Sequence, residues 1–151
     1  MDVVVIGGGA AGMMAAINSA KHQNKIILIE KTSSLGNKIK ITGKGRCNIT
    51  FDGDIEDFER NITKNNKFMF SSFMNFSNKD TVDYFNSLGV KTKVERGGRI
   101  FPQSDRAEDV VNALKEELKR YNVEVKYNTC LQDFIIENNV LKGIKTNFGN
   151  I

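Results

Sequence analysis

A single histidine, His22, and two cysteines, Cys47 and Cys130, stand in 151 residues. One imidazole excludes a histidine-rich metal site and a Ser-His-Asp triad. Two cysteines without C-x-x-C spacing make no disulfide framework. No apolar run approaches membrane-spanning length. No secretory signal stands before the first strand, because Asp2 leads at once into a short strand and a glycine turn. A reducing, cytoplasmic setting away from membranes is therefore expected. Charge of neither sign dominates: 22 Lys and Arg against 18 Asp and Glu leave a net +4. The lysines alternate with acids, as in Lys115-Glu116-Glu117-Leu118-Lys119. This reads as a solvated surface rather than a nucleic-acid-binding stripe, and a cofactor's phosphates would absorb part of the excess. At 40% hydrophobic and 26% charged residues, the chain has the composition of one globular domain able to bury a core.

What is present begins with Val3-Val4-Val5-Ile6, a continuous β-branched run ended by three glycines. Such a run reads as a strand of a parallel sheet buried on both faces. Residues 11–20 are rich in helix formers and small side chains, and Lys25 to Glu30 is a second buried strand. Strand, helix and strand within thirty residues make a βαβ unit. Residues 31–50 carry no clear period and read as an ordered loop with one helical turn. A short helix is expected over 54–62. Phe70, Phe73 and Phe76 recur at roughly helical spacing and are expected in the core. An amphipathic helix over 78–88 ends at Gly89, and 90–95 pairs with 99–101 around Gly97-Gly98. Ser104 or Asp105 caps a long helix through Tyr121 that sets Val110, Val111, Leu114 and Leu118 on one face. Val123 to Tyr127 is a third sheet strand. Residues 131–136 and 140–146 form a hairpin turning at Asn138-Asn139. The fold class is α/β: a Rossmann-like dinucleotide-binding βαβ with a parallel sheet, a crossover helix and a flanking β-meander.

Chemistry concentrates in Gly7-Gly8-Gly9-Ala10-Ala11-Gly12, whose first, third and sixth positions satisfy G-x-G-x-x-G. The pattern alone is weak, but here it follows a strand and opens a helix inside a βαβ unit. Gly7 permits the tight turn, Gly9 lets the backbone approach a pyrophosphate, and Gly12 lets the helix pack close to the strand. The helix N-terminus at Ala10 and Ala11 offers free N–H groups and a partial positive charge to phosphates. Glu30 ends the second strand, where an acid accepts hydrogen bonds from ribose hydroxyls and repels a 2′-phosphate. FAD and NAD share this half-site.

The segment after Glu30 separates the two. Thr42-Gly43-Lys44-Gly45-Arg46-Cys47-Asn48-Ile49-Thr50 is a glycine- and cation-rich loop, and Arg99-Ile100-Phe101-Pro102 is followed by Ser104-Asp105 and a helix. With these motifs the whole chain resembles the BaiN-like flavoprotein family, which carries a TG-x-GRCN-x-T signature after a GGG-x-AG fingerprint. The resemblance implies an FAD-dependent oxidoreductase with a two-part flavin domain and an inserted second domain. It implies that Thr42, Gly45, Arg46, Cys47 and Asn48 wrap the FAD, that the backbone around Leu131 meets the adenine, and that Lys31 and Lys38 join the cofactor-binding set. Phe51 departs from the family, whose members often have Asn there. The expected extent is residues 1–151 as the N-terminal part of the flavin domain, cut short before the inserted domain. Such a piece is expected to bind FAD weakly and to lack activity alone.

Arg46 suits either a phosphate or a flavin carbonyl, because its fork matches oxygen pairs. Cys47 beside Lys44 and Arg46 could be a lowered-pKa thiol. With no second cysteine nearby, a packing role fits it better. No residue stands out as a general acid or base, so the flavin carries the redox step. The expected activity is flavin-mediated hydride transfer on a small organic substrate, with NAD(P)H or O₂ as redox partner. A non-catalytic dinucleotide-binding fragment is the alternative.

Overall fold

The computed structural model describes residues 2–22, 25–64 and 66–151. In chain order the elements are β1 (Asp2–Ile6), α1 (Ala10–Ala20), β2 (Lys25–Ile29), α2 (Asn37–Ile41), β3 (Thr50–Phe51), α3 (Ile55–Asn61), α4 (Asn66–Asn75), α5 (Asn78–Ser87), β4 (Thr92–Glu95) and β5 (Arg99–Pro102). There follow α6 (Ala107–Arg120), β6 (Glu124–Lys126), β7 (Leu131–Glu137), β8 (Val140–Thr146) and β9 (Gly149–Asn150). The chain divides into two compact units, residues 1–38 with 114–151, and residues 39–113.

The first unit is the expected α/β arrangement. Its sheet runs β1-β2-β6, all parallel, with Val4 beside Ile27 and Ile29 beside Lys126. The β-branched run of β2 resists helix and packs well when pleated. Side chains of β2 alternate between faces. Ile27 and Ile29 pack with Val4, Leu131, Ile144 and Ile151, which seats the antiparallel meander β7-β8-β9 on one face of the sheet. Helix α1 packs against β1 and β2 and buries Met13, Ala16 and Ile17. The β7–β8 hairpin turns where expected, at Asn138 and Asn139, whose φ of 51° and 59° give the twist that two-residue hairpins favour. One expectation is corrected. Strand β1 is only half-buried and Ile6 is 48% exposed, while β2 is buried from Ile26 to Ile29. Among the described residues β1 has a sheet neighbour on one side only, so its apolar run is not enclosed as that of β2 is.

The second unit holds a small antiparallel sheet, β3-β5-β4, with Val94 opposite Ile100 and Thr50 also opposite Ile100. Helix α5 packs against β3 and β4. Its start is a capping box: Ser77 Oγ accepts from Asp80 N and Asp80 Oδ2 accepts from Ser77 N. Gly89 ends it at φ +83°. Buried Phe85, Val90, Ile100, Phe101, Val110 and Val111 form the unit's interior. Helix α4 forms as its spacing predicts, but its aromatics do not fill a core. Phe68 is 82% exposed, and Phe70, Met74 and Phe76 are also exposed. Phe73 is half-buried and Phe76 stands edge-on to the Tyr84 ring, so the helix is only partly covered.

Candidate functional site

In the first unit the glycine turn connects β1 to α1. Gly7 has φ +99°, a conformation that side chains disfavour, and its N–H donates to the Ile29 carbonyl at 2.8 Å. A Cβ on Gly9 would meet nothing within 4 Å, so the backbone there faces open space, as close approach of a phosphate requires. A Cβ on Gly12 would collide with the Gly7 carbonyl, which makes glycine obligatory for this helix-to-turn contact. No side chain caps α1, and its first internal bond is Met13 N to Gly9 O at 2.9 Å. The preceding amides, at Ala10, Ala11 and Gly12, therefore remain available to an anion, reinforced by the helix dipole.

Glu30 is fixed more firmly than its position at a strand end suggests. Its Oε2 accepts from Gly8 N at 2.7 Å, and its Oε1 accepts from Thr32 N at 2.9 Å and from Thr32 Oγ1 at 2.8 Å. Partial burial alone would raise the carboxyl pKa, but the Gly8 and Thr32 donors, with Lys31 nearby, outweigh it and hold the group below the ordinary glutamate value. Three of roughly four acceptor positions are thus taken. Room remains for one further donor, such as a single ribose hydroxyl. Gly8 carries a role that the motif pattern leaves blank. A Cβ there would strike Leu35 and come within 3.2 Å of Glu30 Oε2, and Gly36 N donates to Gly8 O at 2.8 Å. Lys31 and Lys38 are exposed. Leu131 lies on β7 in the apolar cluster described above.

In the second unit the loop from Thr42 to Asn48 begins as a short 3₁₀ turn, Thr42–Gly45. Gly43, Lys44, Gly45 and Cys47 all have positive φ, so two non-glycine residues sit in the left-handed region. The turn closes through Cys47 N to Thr42 O at 3.0 Å. Gly43 lies against Phe101: a Cβ there would come within 2.9 Å of the ring and 3.0 Å of Asn48 N. With its amide nitrogen facing inward, Asn48 reaches the carbonyls of Thr50 and Ile100 at 3.0 and 3.2 Å. The Thr42–Thr50 and Arg99–Pro102 motifs are therefore one packed structure.

Arg46 stacks over Phe101, 4.2 Å from the ring centroid. Its Nη1 donates to Glu95 Oε1 at 2.8 Å, Glu95 Oε2 at 3.1 Å and Asp105 Oδ1 at 3.3 Å. Lys93 Nζ completes a quartet, 2.6 Å from Asp105 and 3.5 Å from Glu95. The hydrogen bond to Lys93 holds the Asp105 carboxyl below its ordinary range, and the same bond raises the Lys93 ammonium. Glu95 and Lys93 gave no sequence signal as site residues, while Phe101 and Asp105 stood in a family motif without a role assigned to either beyond a helix cap at Asp105. They lie 47 to 59 positions beyond Arg46, and only the fold brings them to it. Cys47 is buried, and desolvation pushes its thiol up despite a partly offsetting hydrogen bond with Thr42. Burial and the raised thiol favour the packing role over a thiolate.

A family profile described as HI0933-like protein Rossmann domain matches residues 1–151. The chain belongs to this family. The resemblance drawn from the two motifs is therefore borne out. Among curated relatives, the 3-dehydro-bile acid delta(4,6)-reductase of Clostridium scindens is 37% identical over 131 residues, 80% of this chain and 29% of that protein. The ribosomal RNA dihydrouridine synthase of Escherichia coli is 30% identical over 122 residues, 81% of this chain and 30% of its own length. The chain thus spans under a third of these relatives. Among solved structures, an open-conformation flavocytochrome c3 fumarate reductase superposes with a TM-score of 0.75 at 18% identity, over 99% of this chain and 31% of that one. This likeness confirms the α/β fold. Among the described residues, no helix is long and apolar enough to cross a membrane, and no cluster of His, Cys, Asp and Glu could hold a metal ion.

Proposed function

We propose that the protein is the FAD-binding part of an oxidoreductase that transfers hydride between a reduced nicotinamide and an organic substrate. The carrying observation is the first unit's turn: open backbone at Gly9, free amides at Ala10 to Gly12, and Glu30 with one acceptor position left. These features fit the ADP portion of a dinucleotide. The family supports a flavin as the remainder, and the Thr42–Asn48 loop is the segment assigned to it. When bound, FAD supplies the hydride-transfer chemistry, and the chain's part is to bind and orient it. Gly7, Gly9 and Gly12 shape the cradle, while Glu30 and the Ala10 and Ala11 amides fix the adenosine and phosphate groups. The unpaired thiols of Cys47 and Cys130 agree with a reducing, cytoplasmic setting.

The substrate we favour is a small unsaturated carbonyl compound, following the bile acid reductase. The dihydrouridine synthase supports a second reading, in which the substrate is a pyrimidine of RNA. Equilibrium titration with FAD, followed by quenching of its fluorescence, tests the cofactor assignment. Saturable but weak binding is expected, and no quenching at any concentration would overturn it. NADH and NADPH consumption with a dehydro-bile acid or with ribosomal RNA, by a version of the protein extended to the length of its relatives, then separates the two substrate classes.

A further inference from the structure

Thr32 has one hydroxyl proton and two acceptors for it. Its Oγ1 lies 2.8 Å from Glu30 Oε1 and 2.9 Å from the Ser34 carbonyl oxygen. A hydroxyl has a single proton to donate, so one of these bonds is made at a time. Asn37 Nδ2 donates to the same Thr32 oxygen at 2.9 Å and to the Ser34 carbonyl at 3.2 Å. Ser34 Oγ donates in turn to Asn37 Oδ1. The Ser34 carbonyl therefore keeps a donor in Asn37 whichever way the Thr32 proton points. The Thr32 oxygen itself is held in place. Thr32 N donates to Glu30 Oε1 at 2.9 Å, Asn128 N donates to the Thr32 carbonyl at 3.0 Å, and β-branching restricts χ1. Only the O–H bond is left to turn, and it turns without any backbone rearrangement.

Without a ligand the charged carboxylate is the stronger acceptor and takes the proton. Glu30 then has one acceptor position open. When the proton turns to Ser34, Glu30 Oε1 keeps only the Thr32 amide and gains a second opening. We propose that Thr32 is a positioning residue whose hydroxyl swings from Glu30 to the Ser34 carbonyl as a ribose binds, so that the carboxylate receives two adjacent hydroxyls rather than one. The ligand class this selects is a nucleotide with an intact vicinal diol. The inference rests on the assignment of Glu30 to the adenosine ribose and adds the group that sets how many hydroxyls it accepts. The two hydroxyls are unequal. The first fills a vacant position, whereas the second displaces the Thr32 donor onto a neutral carbonyl, so its net gain is smaller.

The test titrates ADP, 2′-deoxy-ADP and 3′-deoxy-ADP into the isotope-labelled chain and follows the amide resonances of Gly8 and Thr32, which report weak binding at the site itself. Wild type, T32V and T32S are compared, with thermal midpoints as a check on folding. For wild type, one deoxy analogue should bind about tenfold more weakly than ADP and the other about threefold more weakly. T32V removes the competing donor and keeps the shape, so the smaller penalty should grow to about tenfold. T32S keeps the hydroxyl and should reproduce the wild-type pattern. Full ADP-like affinity for one of the two analogues in wild type would overturn the proposal by leaving Glu30 a single opening, and this comparison stands whether or not T32V folds. Weakening of all three nucleotides by one common factor in T32V would overturn it by reducing Thr32 to a structural role, and so would T32S behaving like T32V. Equal affinity for all three nucleotides in wild type, or no binding of ADP, would instead overturn the ribose assignment of Glu30 and this inference with it.

Discussion

Glu30→Gln removes a charge while keeping the side chain's shape, and its cost can be worked from three hydrogen bonds. The carboxylate places one oxygen on Gly8 N and the other on both donors of Thr32. Glutamine has one acceptor oxygen and one NH₂ group. If its oxygen serves Thr32, the NH₂ faces the Gly8 N–H, donor against donor. One charge-assisted bond is then lost and the others weaken to neutral strength. Bonds to charged groups contribute about 1.5–3 kcal/mol when buried. Glu30 is part-buried and water replaces some of the loss, so a cost of about 1.5 kcal/mol is expected. For a chain of this size that lowers the thermal midpoint by about 3–6 °C. The dependence on pH identifies the cause. The folded-state pKa of Glu30 is depressed, so its contribution is complete above the unfolded value, near 4.5, and is lost as pH falls through the folded value. Wild type and E30Q should differ at pH 7 and converge in acid. Thermal melts followed by far-UV circular dichroism from pH 7 downward measure this. Equal midpoints at pH 7, or a gap that persists at the acid end, would refute the role of the carboxylate in holding the loop.

Gly9→Val should fold normally, since its Cβ meets open space, yet lose the FAD binding seen for wild type in an equilibrium titration; unchanged affinity would remove the turn as phosphate cradle. Gly12→Ala drives a methyl into the Gly7 carbonyl and should cost about 1–3 kcal/mol in urea unfolding, with a neutral effect counting against the close contact. Alkylation at pH 7.5 should modify exposed Cys130 and spare buried Cys47, as peptide mass mapping would show; rapid labelling of Cys47 would contradict its raised pKa. In a version of the protein extended to the length of its relatives, Cys47→Ser should remain folded and yellow, and loss of turnover with flavin still bound would restore a catalytic thiol.

The βαβ unit was legible because its signals are local. Periodicity, a glycine turn and a terminal acid all fall within thirty residues, and each follows from backbone sterics. The meander's turn at Asn138-Asn139 was legible for the same reason. Burial was less so. Val3 to Ile6 and Ile26 to Ile29 read alike, but the number of sheet neighbours differs, and that is a property of topology. The Phe70, Phe73 and Phe76 spacing identified a helix and misjudged its environment. The Thr42–Thr50 segment stood out as a motif, yet its 3₁₀ turn and left-handed residues depend on packing against Phe101, more than fifty positions on. Glu95 and Asp105 were invisible as partners of Arg46 because a pairing across that distance leaves no periodic trace. Glu30 is marked by its place at the strand end, while its grip on Gly8 and Thr32 depends on how the turn folds back over it.

The first unit is discontinuous, being built from residues 1–38 and 114–151 around a contiguous second unit. Strand β2 emerges from the ribosome long before its neighbour β6, and the register of Ile27 with Glu124 closes only after all of residues 39–113 has been made. Contacts of long sequence separation form slowly because loop closure must precede them. During synthesis the apolar edge of β2 therefore waits, while the 39–113 segment already holds every partner it needs for its own sheet. Assembly order is written into the connectivity: the later-encoded unit can take shape first, and the dinucleotide cradle's sheet is completed last.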